Sequence, residues 1–484
     1  MKESNDHDHQ HAPNRFAVVP TAARLNADPN YTGKGVTIAF LDSGFYPHAD
    51  LQEPDERIVA YHDLAAERPT LSPHDAIESW QWHGTQTSVV AAGNGAHCDG
   101  VYRGLAADSQ VVLVKASTQG RITEDNIARG IEWVIENRDR FNIRILNISL
   151  GGDQDVPCSR SIINQAAEEA IKQGVVVVAA AGNSGAEGKH SIPPANAPSV
   201  ITVGGYDDKN DLDPATIDLY DSNFGPTADG TVKPEIIAPA MWVAAPILPG
   251  TELYETAETL SQLLAAPDYE LKKLSREFAA KLPVPDQVLS AGAASIRAFL
   301  ESVLNEHKII AAHYQHVDGT SFAAPIITSV VAQMLEANPR LTPAAVKNIL
   351  VSTADRIAHA PVLRQGYGVV DAQHAVSLAK SDTHEWHSIV GGPPRIENGK
   401  VLFFFYGDEA KSVALAGEFN GWDAGKTSLQ KDEQGMWRAA IAAPPPGLYH
   451  YKYVINGEWW LEDPNNGMKA PDDHGGLNSV LIIK

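Results

Sequence analysis

Asp318-Gly319-Thr320-Ser321-Phe322-Ala323-Ala324-Pro325 joins a polar turn to a largely apolar run, Ile326-Ile327-Thr328-Ser329-Val330-Val331-Ala332-Gln333-Met334-Leu335. The run reads as a buried helix with Ser321 at its start. Pro325 falls within the first turn or so, where its missing N–H costs least. A serine at a helix start has its own N–H unpaired and faces the positive end of the helix dipole. Both features suit a hydroxyl that attacks a carbonyl and then stabilises an oxyanion. An isolated Gly-Thr-Ser is more often a helix cap. The stronger reading requires a base, an orienting acid and an oxyanion donor elsewhere in the chain.

Outward from this stretch, the 484 residues are too many for one core, so two or three domains are expected. The net charge of −22 and pI near 5.2 disfavour a nucleic-acid or anionic-membrane partner, which would call for a basic chain. No apolar run approaches membrane-spanning length. Met1–Asp6 lacks the apolar core of a signal peptide. The expected location is therefore cytoplasmic, or secreted if the sequence is a trimmed mature form. Two cysteines, Cys98 and Cys158, leave open one bridge or two free thiols.

Residues 1–14 read as a polar tail, with His7, His9 and His11 alternating with polar neighbours. From residue 15 to 380, apolar runs at Val36–Leu41, Val111–Val114, Arg144–Leu150, Val175–Ala181 and Val200–Val203 alternate with helical patterns such as Asp125–Asn137 and Ser161–Gln173. Strands apolar on both faces, interleaved with amphipathic helices, predict an α/β domain with a parallel sheet covered on both sides. Ligands of such sheets gather beyond the carboxyl ends of the strands. Asp42 follows one strand there and Gly182-Asn183-Ser184-Gly185 follows another. Residues 252–308 carry leucines at helical spacing, separated by Pro267, Pro283 and Pro285, and predict roughly three inserted helices. After a Pro/Gly-rich linker at 381–394, residues 395–484 turn to short strands with Asn-Gly and Pro-Gly turns, the pattern of a small immunoglobulin-like β-sandwich.

The missing partners are present in the order Asp42, His83, Ser321, with His83 near a helix start in Trp82-His83-Gly84-Thr85. Ile38-Ala39-Phe40-Leu41-Asp42-Ser43-Gly44, His83-Gly84-Thr85 and Gly319-Thr320-Ser321-Phe322-Ala323-Ala324-Pro325 resemble the three signatures of the subtilisin-like serine proteases. The likeness runs from about Phe16 to Lys380. It implies that Ser321 is the nucleophile, His83 the general base and acid, and Asp42 the group orienting the imidazole. By the same likeness, Asn183 and the Ser321 N–H would bind the oxyanion, and Ser149-Leu150-Gly151 would pair with substrate backbone as an added strand. The implied partner is a protein or peptide, and the chemistry requires no cofactor. Family members often carry calcium, yet no acidic run here has the spacing of a calcium loop, so no metal site is placed. Asp207, Asp208, Asp211 and Asp213 read as an exposed acidic loop. Gln86 stands where the family commonly has a second histidine, and no inhibitory pro-domain is visible before the first strand. The insertion just before Ser321 reads equally as a cover for the cleft, a partner or dimer surface, or an extra packed layer.

Val413–Asp423, Tyr449–Trp460 and Gly475–Ser479 resemble the glycogen-binding modules of AMP-activated kinase β subunits and of starch-branching and debranching enzymes. The resemblance assigns Trp422 and Trp459 as sugar platforms, with Trp460 as the other candidate for the second, and Lys452 and Asn478 as polar contacts. It implies a possible α-glucan ligand; packing against the protease domain is the alternative for such a module. The leading expectation is a serine endopeptidase. Its rival is a gated or inactive relative that serves as a glucan-anchored binding protein.

Overall fold

The computed structural model describes residues 17–65, 77–78, 80–118, 120–357, 360–381, 394–397, 399–406, 410–431, 436–463, 466, 468–472 and 476–483. The expected tail at 1–14 and nearly all of the linker lie outside them.

Strands β1 (Thr37–Asp42), β2 (Ile58–Asp63), β3 (Gln110–Lys115), β4 (Ile143–Ile148), β5 (Val176–Ala180), β6 (Ile201–Asp207), β7 (Asp218–Leu219) and β10 (Ile236–Pro239) make one sheet. Its order is β10-β6-β5-β4-β1-β3-β2, with β7 added to β6. All pairs along this order are parallel, and β7 alone is antiparallel. The central β1 is buried on all six residues, as a strand with two covered faces must be. One face packs on the helix Thr320–Ala337, buried at every residue from Phe322 to Leu335. The other face packs on the helices Glu124–Phe141 and Ile162–Lys172. The hydroxyls of Thr123, Ser161 and Thr342 cap their helices by accepting N–H bonds from Asn126, Asn164 and Ala345.

Besides the two-residue β7, two strands of this sheet do not stand out in the sequence. β2 is half-buried at every residue, so it has neither an apolar run nor an alternation. β10 has only four residues, closely flanked by Pro234 and ending at Pro239. A short hairpin, β8 (Gly225–Pro226) with β9 (Val232–Lys233), precedes β10.

The insertion is held by a separate three-stranded sheet, β11 (Val243–Pro246), β13 (Tyr314–Val317) and β12 (Ile309–Ala311), in that order. Between β11 and β12 run four helices: Glu252–Ala265, Asp268–Glu277, Asp286–Ala291 and Ala293–Glu306. The extra helix, relative to the three expected, is the six-residue Asp286–Ala291, which lies between Pro285 and Gly292 ahead of the last apolar pattern. These helices share their own core, including Leu260, Leu263, Leu271, Ile296 and Leu300.

The C-terminal module has two antiparallel sheets. One contains β14 (Arg395–Glu397), β15 (Lys400–Tyr406), β18 (Met436–Ala442) and β17 (Gln430–Lys431). The other contains β16 (Val413–Gly417), β19 (Gly447–Ile455), β22 (Leu477–Ile483) and β21 (Lys469–Pro471), with β20 (Trp459–Leu461) paired to β19. Phe403, Phe405, Leu415, Tyr451, Tyr453 and Leu481 fill the space between them. A fully buried Asp463 sits in this core and accepts the Tyr451 hydroxyl at 2.7 Å, so the buried carboxyl group is hydrogen-bonded.

Candidate active site

Asp42 is the last residue of β1, and parallel pairing on both sides fixes it at the carboxyl edge of the sheet. Its carboxylate is 1% exposed and fully engaged: Oδ1 accepts from the Ser43 N–H at 2.7 Å and Oδ2 from the Thr87 hydroxyl at 3.2 Å. The His83 ring lies beside it, with Nδ1 2.8 Å from Asp42 Oδ1. His83 is the third residue of the helix Gln81–Ala92. Gly84 is required next to it, because a Cβ there would meet the Gly44 carbonyl oxygen at 2.3 Å. Burial works to lower the His83 pKa, but the charge and hydrogen bond of Asp42 outweigh it, so the imidazole sits above its ordinary 6.5.

Ser321 is the second residue of the helix Thr320–Ala337, and the neighbouring Phe322 ring lies 5.9 Å from the His83 ring. Asn183 takes the Thr320 N–H at 2.8 Å, and Phe322 donates to the Gly319 carbonyl at 3.0 Å. The Ser321 N–H between them has no partner among the described residues, as the helix start predicts. Asn183 Oδ1 also accepts the Thr320 hydroxyl at 2.9 Å. Because an N–H can donate only to the amide oxygen, these bonds fix the orientation of the Asn183 amide and leave its Nδ2 protons free. Asn183 itself is exposed. Two orphan donors, from Asn183 and Ser321, thus belong to adjoining segments.

Pro325 is not in the first turn, as expected, but is the sixth helical residue. The N–H it lacks is the one that would bond the Ser321 carbonyl four residues earlier. Ser149 supplies the replacement: its hydroxyl donates to the Ser321 carbonyl at 2.9 Å. In return the Ser321 hydroxyl lies 3.4 Å from the Ser149 carbonyl. Ser149, Leu150 and Gly151 continue beyond β4 and pass from buried through half-buried to exposed. A Cβ on Gly151 would meet the Pro193 carbonyl oxygen at 2.9 Å. The structure therefore brings together Asp42, His83, Ser321, Asn183 and Ser149 at one sheet edge. The orienting roles of Thr320 and Ser149 depend on distant partners, and no local sequence signal announces them.

The acidic loop differs from its expectation. Asp208 is buried at 4% exposure and accepts Arg24 Nη2 at 2.7 Å, and Asp207 accepts the Trp242 indole N–H at 3.2 Å. Arg24 and Trp242 lie far away in sequence, so the local run of acids gives no hint of them. Among the described residues, no group of three His, Cys, Asp or Glu side chains is arranged to hold a metal. Cys98 and Cys158 are free thiols. Gln86 is buried and donates to the Pro246 carbonyl at 3.0 Å, tying the His83 helix to β11.

On the module, Trp422 and Trp460 lie together, ring centroids 6.5 Å apart. Trp460 stands opposite Val454, on the outer sheet face that also carries Lys452. Trp459 stands opposite Ile455 and points to the other face, so Trp460 and not Trp459 accompanies Trp422. Asn478, one position from the Tyr451–Ser479 pair, falls on the Lys452 side. Lys452 is held by Asp472 at 2.5 Å.

An acid–imidazole pair and a helix-start serine therefore share the carboxyl edge of one parallel sheet. Comparison with known proteins gives the family. Residues 33–368 match the Subtilase family, and residues 390–470 match carbohydrate-binding module 48, the isoamylase N-terminal domain. Serine protease AprX of Bacillus subtilis (strain 168) is 31% identical over 358 residues, 71% of this chain and 67% of its own length. Subtilisin from Bacillus pumilus is 33% identical over 184 residues, 37% of this chain and 60% of its own. Fervidolysin from Fervidobacterium pennivorans, a keratinolytic enzyme related to subtilisin, aligns with TM-score 0.50 at 18% identity, over 89% of this chain and 54% of that one, a likeness of fold. The chain belongs to the subtilase family of serine proteases and carries a carbohydrate-binding module 48 at its C-terminal side.

Proposed function

We propose that the chain hydrolyses peptide bonds with Ser321 as nucleophile, His83 as base and then acid, Asp42 as the group orienting His83, and Asn183 as oxyanion donor. The observation that carries this reading is the 2.8 Å Asp42–His83 bond at the sheet edge where the helix of Ser321 begins. Asp42 holds the Nδ1 proton, so Nε2 is the nitrogen left to accept the Ser321 proton. As Oγ attacks, the negative charge on the former carbonyl oxygen meets the free Asn183 amide and Ser321 N–H. The proton on His83 then passes to the leaving amine, and water repeats the sequence on the acyl-enzyme. Substrate backbone would extend alongside Ser149-Leu150-Gly151, whose exposed end is open to an added strand. His83 is partly exposed and Asn183 exposed, which speaks for an open cleft over a covered one.

The Trp422–Trp460 face, with Lys452 and Asn478 beside it, would hold α-glucan by stacking apolar sugar faces on the indoles. Casein or a quenched peptide tests the first part: cleavage by the native chain and none by Ser321→Ala is the expected result. Equal cleavage by both would overturn it.

A further inference from the structure

Lys308 stands where the inserted helices end, two residues after the Ala293–Glu306 helix and just before β12. Its backbone has φ 55°, and its carbonyl accepts the His316 N–H of β13 at 2.8 Å. Its ammonium makes an ion pair with Asp318 Oδ2. Asp318 follows β13 directly and is three residues before Ser321.

The other oxygen of Asp318 accepts the Trp242 N–H at 3.2 Å, from the turn that enters β11. Trp242 stacks on His316 at 4.6 Å. The His316 ring nitrogen is 3.9 Å from Asp318, too far for a hydrogen bond. The charge of Asp318 is felt by Tyr220, whose pKa it helps burial to raise. Asp318 therefore joins the way into the insertion, at Trp242, to the way out, at Lys308.

Gly319 comes next, at φ 131°, with no side chain to anchor it and its N–H on the Ala240 carbonyl at 2.7 Å. The Thr320 side chain is already committed to Asn183. Between β13 and Ser321, Asp318 is thus the side chain that ties the loop to the insertion. Partial burial opposes ionisation of Asp318, yet the Lys308 ammonium and the Trp242 N–H outweigh it and hold its pKa at about 2.

We propose that Lys308 is a positioning residue: through Asp318 the helical insertion sets the Gly319–Ser321 backbone, and with it the Ser321 N–H and hydroxyl relative to Asn183 and His83. This rests on Ser321 being the nucleophile. The Lys308 side chain is 48% exposed, so the pair contributes little to folding. A small displacement of a nucleophile is far more costly to rate, about 10²-fold for 1 Å.

The test uses the full chain and a quenched peptide substrate, with kcat and KM measured for the parent, K308M, D318N, K308M/D318N and K308R, alongside Tm. K308M and D318N should each lower kcat about tenfold with KM and Tm little changed, as a partial displacement would. The double variant should be no slower than the slower single, since both remove one interaction. K308R should keep most of the parent kcat. Parent-like kcat in K308M, or losses that multiply in the double variant, would overturn the proposal. A parent chain that fails to react with a fluorophosphonate at Ser321 would instead overturn the nucleophile reading beneath it.

Discussion

The amide of Asn183, the proposed oxyanion donor, is oriented by a neighbour. The Thr320 N–H and hydroxyl hold the amide oxygen, so the free protons are those of Nδ2. Asn183→Ala should lower kcat by about 10²–10³, the usual loss for one oxyanion donor, with a much smaller change in KM. Steady-state kinetics on a peptide substrate would check this. His83 gives a second expectation. Burial lowers its pKa and Asp42 raises it more, so the net shift is upward from 6.5. The neutral base therefore accumulates only above that value, and kcat/KM should rise with pH through an ionisation above 6.5. The stabilising effect of the Asp42–His83 pair runs the other way: it is full below about 6.5 and is lost as pH rises through the folded-state pKa. Asp42, His83, Asn183 and Ser321 are all legible in sequence, since each sits in a short motif at the end of a strand or start of a helix. The bond of Thr320 to Asn183 and that of the Ser149 hydroxyl to the Ser321 carbonyl are not, because their partners lie 137 and 172 residues away.

The strands and helices that carry these residues were legible wherever burial imposes a pattern. β1, β3, β4, β5 and β6 are apolar on both faces, and the helix after Ser321 is apolar on nearly all sides. The half-buried edge strand β2 and the four-residue β10 leave no such mark. Neither does the ion cluster that fastens β10 to the rest of the sheet. Lys233, fully buried, donates to Glu235 at 2.7 Å, and Lys347 donates to the same oxygen at 2.6 Å. The second Glu235 oxygen accepts the Thr202 N–H of β6 at 2.8 Å. Burial pushes the Lys233 pKa down to about 7, which marks how poorly this site tolerates an uncompensated charge. Glu235→Gln removes the carboxylate that both ammonium groups share. It should destabilise the domain by about 3–5 kcal/mol, read as a lower denaturation midpoint with an unchanged slope. A Lys-Pro-Glu run in sequence carries no sign of this, because Lys347 arrives from a distant helix.

Taken whole, the molecule joins a protease domain to a β-sandwich through a contact on the side of β22. Pro234, Gly366 and Tyr367 of the protease domain and Met468, Val480 and Ile482 of the module line one cavity, and the Ile396 N–H donates to the Asp229 carbonyl at 3.4 Å. Val480 and Ile482 share the outer face of their sheet with Trp460, but neither Trp422 nor Trp460 lines that cavity. Sugar binding and peptide hydrolysis should therefore be separable. Trp422→Ala or Trp460→Ala should abolish retardation on a glycogen-containing native gel and leave kcat on a soluble peptide unchanged. Trp459→Ala should leave both the retardation and kcat unchanged. The two-tryptophan run at 459–460 could not be assigned from sequence, because a one-residue shift in a strand moves a side chain to the opposite face. The claim on which the rest depends is that Ser321 is an activated nucleophile. Reaction of the native chain with a fluorophosphonate, followed by peptide mass mapping, tests it directly. A single adduct on Ser321 that forms in the native protein and fails to form after unfolding is the predicted result. A catalytically active native chain with no adduct on Ser321, or with its adduct on another residue, would contradict it.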